Sequence, residues 1–204
     1  MSKALFIDLE TTGLDAAKDE IIEMAIVLVD TGTWEIVQSA NGLVVTVRAT
    51  ERLVSKDLPD RVIEMHEMSG LYKEYLEASI ERDPTTYEAV DESAFSMLRR
   101  WGVGRIPVWG SSVHFDRRFM AEKLPKTNNL LSYRIVDSSS DMERIKATDP
   151  GLWDAIEKDP TAIDQNELVG HRVLDDVRYS IDVARRIQKW VTRPAAACAG
   201  ITNA

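Results

Sequence analysis

Cysteine is almost absent from this chain of 204 residues, where Cys198 stands alone. No internal disulfide can form, and none is needed, because a chain of this length buries roughly 70% of its unfolded surface. A reducing cytoplasm is the expected setting. Long apolar runs are also missing. The longest candidate, Met24 to Val29, stops at Asp30, far short of the roughly 20 residues that cross a bilayer, so no membrane span is expected. The opening stretch Ala4-Leu5-Phe6-Ile7 meets Asp8 and Glu10 before a signal peptide could be complete, which argues against secretion. Positive charge is scarce: 25 Lys and Arg against 34 Asp and Glu leave a net charge of −9. A protein that grips long nucleic acid needs an array of phosphate-neutralising cations. A short nucleic acid in a metal-filled acidic cleft remains open.

No repeat and no Pro-, Gly- or Ser-rich linker divides the chain, which reads as one domain over 1–193. A low-complexity tail over 194–204 follows the helix-ending Pro194 and is expected to be loose. Stretches 3–9, 21–30 and 34–47 are rich in Ile, Val, Leu and Phe, with turn signals between them, and predict three consecutive antiparallel strands. Helical spacing follows over 85–101, a short strand over 106–110, a helix over 115–124, a strand over 134–136 and a long amphipathic helix over 173–191. Strands in series and then alternating with helices predict an α/β fold in three layers, with a mixed sheet flanked by helices.

Asp8 and Glu10 are two apart in a strand and therefore share a face, with Ile7 and Leu9 on the other. Paired acids on a buried strand are costly unless a cation neutralises them. In the last helix, Asp176 lies beside the apolar stripe of Val173, Val177, Ile181 and Ala184 and points inward, whereas Asp175 falls on the solvated line of Tyr179, Asp182, Arg186 and Lys189. His171 cannot share a helix face with Asp176 and is placed on the preceding loop or first turn, in reach as a general base near neutral pH. Asp116 follows a strand-ending glycine and opens a helix; it is either an N-cap or a fourth carboxylate at a strand-to-helix junction. Four acids and one histidine suggest two divalent cations, and oxygen ligands select Mg²⁺ or Mn²⁺ over Zn²⁺. Glu143, Glu157 and Asp159 read as a solvated surface, and Trp101, Trp109 and Trp190 as core or interface.

The segments Phe6-Ile7-Asp8-Leu9-Glu10-Thr11-Thr12-Gly13-Leu14-Asp15, Phe115-Asp116-Arg117-Arg118-Phe119-Met120 and His171-Arg172-Val173-Leu174-Asp175-Asp176-Val177-Arg178 resemble, in order and spacing, the three motifs of the DEDDh 3′-to-5′ exonucleases. Ile21-Ile22-Glu23-Met24-Ala25, His66-Glu67-Met68-Ser69-Gly70-Leu71, Leu124-Pro125 and Tyr133-Arg134-Ile135-Val136-Asp137 resemble the oligoribonuclease branch. The resemblance covers about residues 4–190. It implies a ribonuclease-H-like fold with a five-stranded sheet, and Asp8, Glu10, Asp116 and Asp176 as metal ligands. It implies His171 as the general base, and release of nucleoside 5′-monophosphates from short single-stranded oligonucleotides, RNA above all. It further implies that Ser112, Arg134 and Ser139 hold the substrate's 5′ phosphate, with Arg134 and Ser139 reaching across a homodimer interface, and that Leu14 wedges against a terminal base. His66 lines the nucleotide pocket or serves as a structural histidine. Arg61 stands where family members carry a base-stacking tryptophan, and His114-Phe115-Asp116 is similar to the proofreading type. A DNA-directed exonuclease therefore stays open, as does a catalytically silent binding scaffold.

Overall fold

The computed structural model describes residues 2–192, so the predicted tail, with Cys198, lies outside the described residues. Three strands, β1 (Lys3–Thr11), β2 (Ile21–Asp30) and β3 (Ile36–Leu43), form an antiparallel meander. The short β4 (Val108–Gly110) and β5 (Ile135–Asp137) add parallel to β1 and to each other, giving a mixed five-stranded sheet in the order β3-β2-β1-β4-β5. Between β3 and β4 run α1 (Val47–Ser55), α2 (Asp60–Met68), α3 (Leu71–Glu81) and α4 (Tyr87–Arg100); between β4 and β5 lie α5 (His114–Lys123) and α6 (Pro125–Leu130). After β5 come α7 (Ser138–Thr148), α8 (Pro150–Glu157) and α9 (Val173–Val191). The third strand is shorter than its apolar pattern predicts, because Thr46 caps α1 by accepting the Ala49 N–H at 3.2 Å.

The period of two along β1 divides the interior. Leu5, Ile7 and Leu9 join Leu98 of α4 and Phe119 and Met120 of α5 on one face. Ala4 and Phe6 join Ala25, Val27 and Val29 of β2 and the Val173, Val177, Ile181 and Ala184 stripe of α9 on the other. The layers are helix, sheet, helix, as the alternation predicts. A third cluster seats Ile22 against Leu53 of α1 and Leu71 and Tyr75 of α3, so the helices after β3 stand at the end of β2 where the site lies. Gly110 lets β4 end tightly against β1: a Cβ there would meet the Ile7 carbonyl oxygen at 3.0 Å.

Glu143 and Glu157 are exposed as expected, but Asp159 is not. It is 3% exposed, and its carboxylate accepts from Lys189 Nζ, Trp190 Nε1 and the Thr161 N–H and hydroxyl. The loop after α8 is thereby fastened to the end of α9 by residues about 30 positions apart. Trp109 packs on Phe6 and Trp34. Among the described residues no helix is long and apolar enough to cross a membrane.

Candidate active site

The even-numbered row of β1 that begins with Ala4 and Phe6 continues as Asp8 and Glu10, so the acids extend the face on which α9 packs. Both feel Asp176 of α9 as a close negative charge. Asp116 enters from the opposite side of the sheet. It is not the N-cap of α5, a place taken by Val113; from inside the first turn, 3% exposed, it accepts the Leu9 backbone N–H at 2.9 Å. Asp116 is thus tied to β1 between Asp8 and Glu10. His171 precedes α9 on a loop, as the angular argument requires, and its own N–H donates to Asp176 Oδ2 at 3.1 Å. Glu10, His171 and Asp176 each offer a ligand atom, all within 4.8 Å of one another. The five residues singled out by pattern converge on one place.

The electrostatics there are one-sided. Burial above all, with Asp176 and Glu23 nearby, pushes Asp8 up to about 8. Burial and then the Asp8, Asp176 and Glu23 charges push Glu10 up to about 9. Asp116 is raised well above the ordinary carboxylate range by burial and by Asp8, and Asp176 is raised to about 6, chiefly by burial. Carboxylates that share a site hold protons unless a cation replaces them. The donors are hard oxygens with one imidazole, which fits a divalent cation of the Mg²⁺ or Mn²⁺ kind and lacks the thiolate of many zinc sites.

Spacing alone did not single out Glu23. It faces Glu10 across the β1–β2 register, is 3% exposed, and accepts a two-pronged contact from Arg172. Its signal was present as a lone acid interrupting Ile21-Ile22-Glu23-Met24-Ala25. Asp175, read as solvated, instead accepts the Val169 N–H at 3.0 Å and Arg178 at 3.1 Å.

His66 sits within α2 and is fully buried, so it presents no surface to a nucleotide. Its Nε2 lies 2.9 Å from the Thr11 carbonyl, which fixes Nε2 as the protonated nitrogen, and Nδ1 faces Glu10 Oε2 at 3.8 Å. Burial keeps it below its usual value, hence neutral at pH 7. Beside it opens a cleft of about 390 Å³ lined by Arg61, Met65, Met68, Val169 and His171. Arg61 thus lines the same cleft as His171. Leu14 is 74% exposed and so is not core packing.

Ser112 and Ser139 meet within one chain: the Ser112 N–H donates to Ser139 Oγ at 2.9 Å, the hydroxyls are 3.3 Å apart, and Ser139 Oγ donates to Asp137 Oδ1 at 2.6 Å. Ser139 thus stands beside Ser112 within one chain. Arg134 is not brought to them; it lies exposed over the Tyr133 ring. Ser111 Oγ and Ser180 Oγ, 3.0 Å apart, fasten the end of β4 to α9 one turn beyond Asp176.

The exonuclease family model matches residues 5–184. The probable oligoribonuclease of Dictyostelium discoideum is 32% identical over 181 residues, 88% of this chain and 85% of its own. The oligoribonuclease of Actinobacillus pleuropneumoniae is 31% identical, over 87% and 88% respectively. A nuclease domain described as a DEDDh family member and solved with rAMP superposes with a TM-score of 0.59 at 18% identity, covering 92% of each chain. A structure of exonuclease I reaches a TM-score of 0.65 at 16% identity, covering 93% of this chain and 41% of that one. With the ribonuclease-H-like sheet order, the convergent acids and these likenesses together, the chain belongs to the exonuclease family, on the branch of the oligoribonucleases.

Proposed function

We propose that the protein is a divalent-metal-dependent 3′-to-5′ exonuclease that hydrolyses short oligoribonucleotides to nucleoside 5′-monophosphates. The observation that carries this is the convergence of Asp8, Glu10, Asp116 and Asp176, whose carboxyls burial pushes upward, with His171, which sits against Glu10 and Asp176. Asp8, Glu10, Asp116 and Asp176 would hold two cations, Mg²⁺ or Mn²⁺. When bound, such cations relieve the carboxylate repulsion and stabilise charge on the attacking and leaving oxygens.

His171 takes the proton of the attacking water as its oxygen bonds to the terminal phosphorus. The bond to the 3′ oxygen of the preceding nucleotide then breaks, and that oxygen takes a proton from solvent to become the shortened strand's 3′ hydroxyl, while His171 returns its proton to solvent. Exposed Leu14 and the apolar side of the Arg61–Met68 cleft offer faces for bases. The Ser112 hydroxyl offers a donor to a 5′ phosphate, Ser139 holds the Ser112 backbone N–H beside it, and the exposed Arg134 would supply the guanidinium. The net charge of −9 suits substrates too short to need a basic track. The reading includes a homodimer, supported by the edge strand β5, with Ile135 39% and Tyr133 83% exposed beside it, and a cytoplasmic setting.

The test is incubation with Mn²⁺ and 5′-labelled RNA and DNA of two, five and about twenty-five nucleotides, alongside Asp176→Asn. Rapid conversion of the RNA two-mer to mononucleotides, lost in the variant, is expected. Preference for long DNA would move the protein to the proofreading type, and no cleavage of any substrate would leave a binding scaffold.

A further inference from the structure

His171 is not a glycine, yet its backbone lies at φ 62°. The left-handed region costs an L-residue on the order of 1 kcal/mol and persists only where the surroundings impose it. The surroundings here are four acids acting on four of the five residues from Val169 to Val173. The Val169 N–H is held by Asp175 and the His171 N–H by Asp176. The Arg172 guanidinium then grips both oxygens of Glu23, Nε to Oε2 at 3.2 Å and Nη2 to Oε1 at 2.9 Å, while Nη2 also reaches Glu74 Oε2 at 2.7 Å. The Val173 N–H leans on the same Glu23 Oε2 at 3.4 Å. Asp175 and Asp176 belong to α9 itself and move with it. Glu23 does not, because it stands on β2 directly opposite Glu10.

We propose that the Glu23–Arg172 pair is a positioning device for His171. By fastening the residue after the base to the strand beside the acids, it fixes the distance and direction from which the imidazole approaches the cluster. A planar guanidinium on both carboxylate oxygens sets an orientation that a lysine on the same charge cannot. The Glu23 side chain is 4% and that of Arg172 25% exposed, so water competes poorly for either partner. The Glu74 arm, with that carboxylate 50% exposed, extends the same grip to α3. Neither Glu23 nor Arg172 needs to touch substrate or cation for this. The inference rests on the reading of His171 as general base.

The test is a double-mutant cycle between Arg172→Lys and His171→Ala, read as kcat, KM and Mn²⁺ half-saturation on an RNA two-mer. It is paired with amide exchange at Val169 and His171. With His171 intact, Arg172→Lys should lower kcat at least tenfold, with KM and Mn²⁺ half-saturation within twofold. In the His171→Ala background it should cost less than twofold, since it acts through the imidazole. Exchange at both amides should quicken. Glu23→Gln, which keeps one acceptor oxygen, should fall between wild type and Arg172→Lys, and it serves where the Arg172→Lys protein folds poorly. Equal losses in both backgrounds, a parallel loss of Mn²⁺ affinity, or unchanged exchange would overturn the proposal. Should wild type and His171→Ala be equally inactive, the nuclease reading fails instead. The exchange arm then still decides whether the pair anchors the loop.

Discussion

Glu10→Gln should stabilise the metal-free protein. Glu10 is 6% exposed and its carboxyl, ordinarily near 4.5, is pushed up to about 9. The unfolded chain releases that proton near 4.5 while the native state keeps it until about 9, so between these values the native state binds more protons. Stability must then fall as pH rises through the window, by about 1.4 kcal/mol per pH unit. At pH 7 this single group has cost about 3 kcal/mol. A neutral glutamine of the same shape escapes that loss, and for a domain near 200 residues the gain corresponds to a rise in Tm of about 6–12 °C. The assay is a thermal melt of both proteins in EDTA from about pH 4.5 to 8, repeated with excess Mn²⁺. The two curves should meet near pH 4.5 and diverge upward, and Mn²⁺ should reverse their order by stabilising only the wild type strongly. A variant that melts at or below the wild type at about pH 7 to 8 in EDTA would refute the reasoning, for it would mean that the cluster carries its charges without strain.

Three further outcomes are expected. Asp116→Asn keeps an oxygen for the Leu9 N–H and removes a carboxyl raised by burial, so it should fold with a metal-free Tm at or above wild type yet lose at least about a hundredfold in activity, measured on an RNA two-mer. His171→Ala should lower kcat by about 10² to 10⁴ while leaving the Mn²⁺-induced rise in Tm intact, which separates proton transfer from metal holding in one melt and one rate measurement. Asp159→Ala strips acceptors from Lys189, Trp190 and Thr161 and should destabilise by about 2 kcal/mol in urea unfolding, with activity per folded molecule unchanged.

The strands were readable because β1 and β2 combine length with strong apolar content, and α9 because its stripe runs unbroken from Val173 to Ala184. The region between 47 and 81 carried no comparable signal: α1 to α3 are short, and each buries only one to three residues. The acids on β1 and α9 were legible as breaks in period on faces that had to be inside. Asp116 was ambiguous because first-turn position cannot say whether a carboxylate bends back to its own helix or across to a strand 107 residues away. Glu23, Asp175 and Asp159 were misjudged or overlooked for one reason. Each is held by a partner distant in sequence or by a loop amide, and no local spacing encodes such a partner.

The single strand β1 serves two masters. Its odd residues fill one interior and its even residues fill the other before turning into Asp8 and Glu10. Because successive side chains alternate, inserting or deleting one residue between Ala4 and Glu10 would exchange the two sets. Apolar side chains would point at the cation site, and the acids would drive into the layer of Leu98 and Phe119. Such a length change should be tolerated in the Thr31-Gly32-Thr33 turn and nowhere along β1, so a scan of single-residue insertions read only as yield of folded protein would outline the catalytic strand as a block of positions where folding is lost, without any assay of the chemistry.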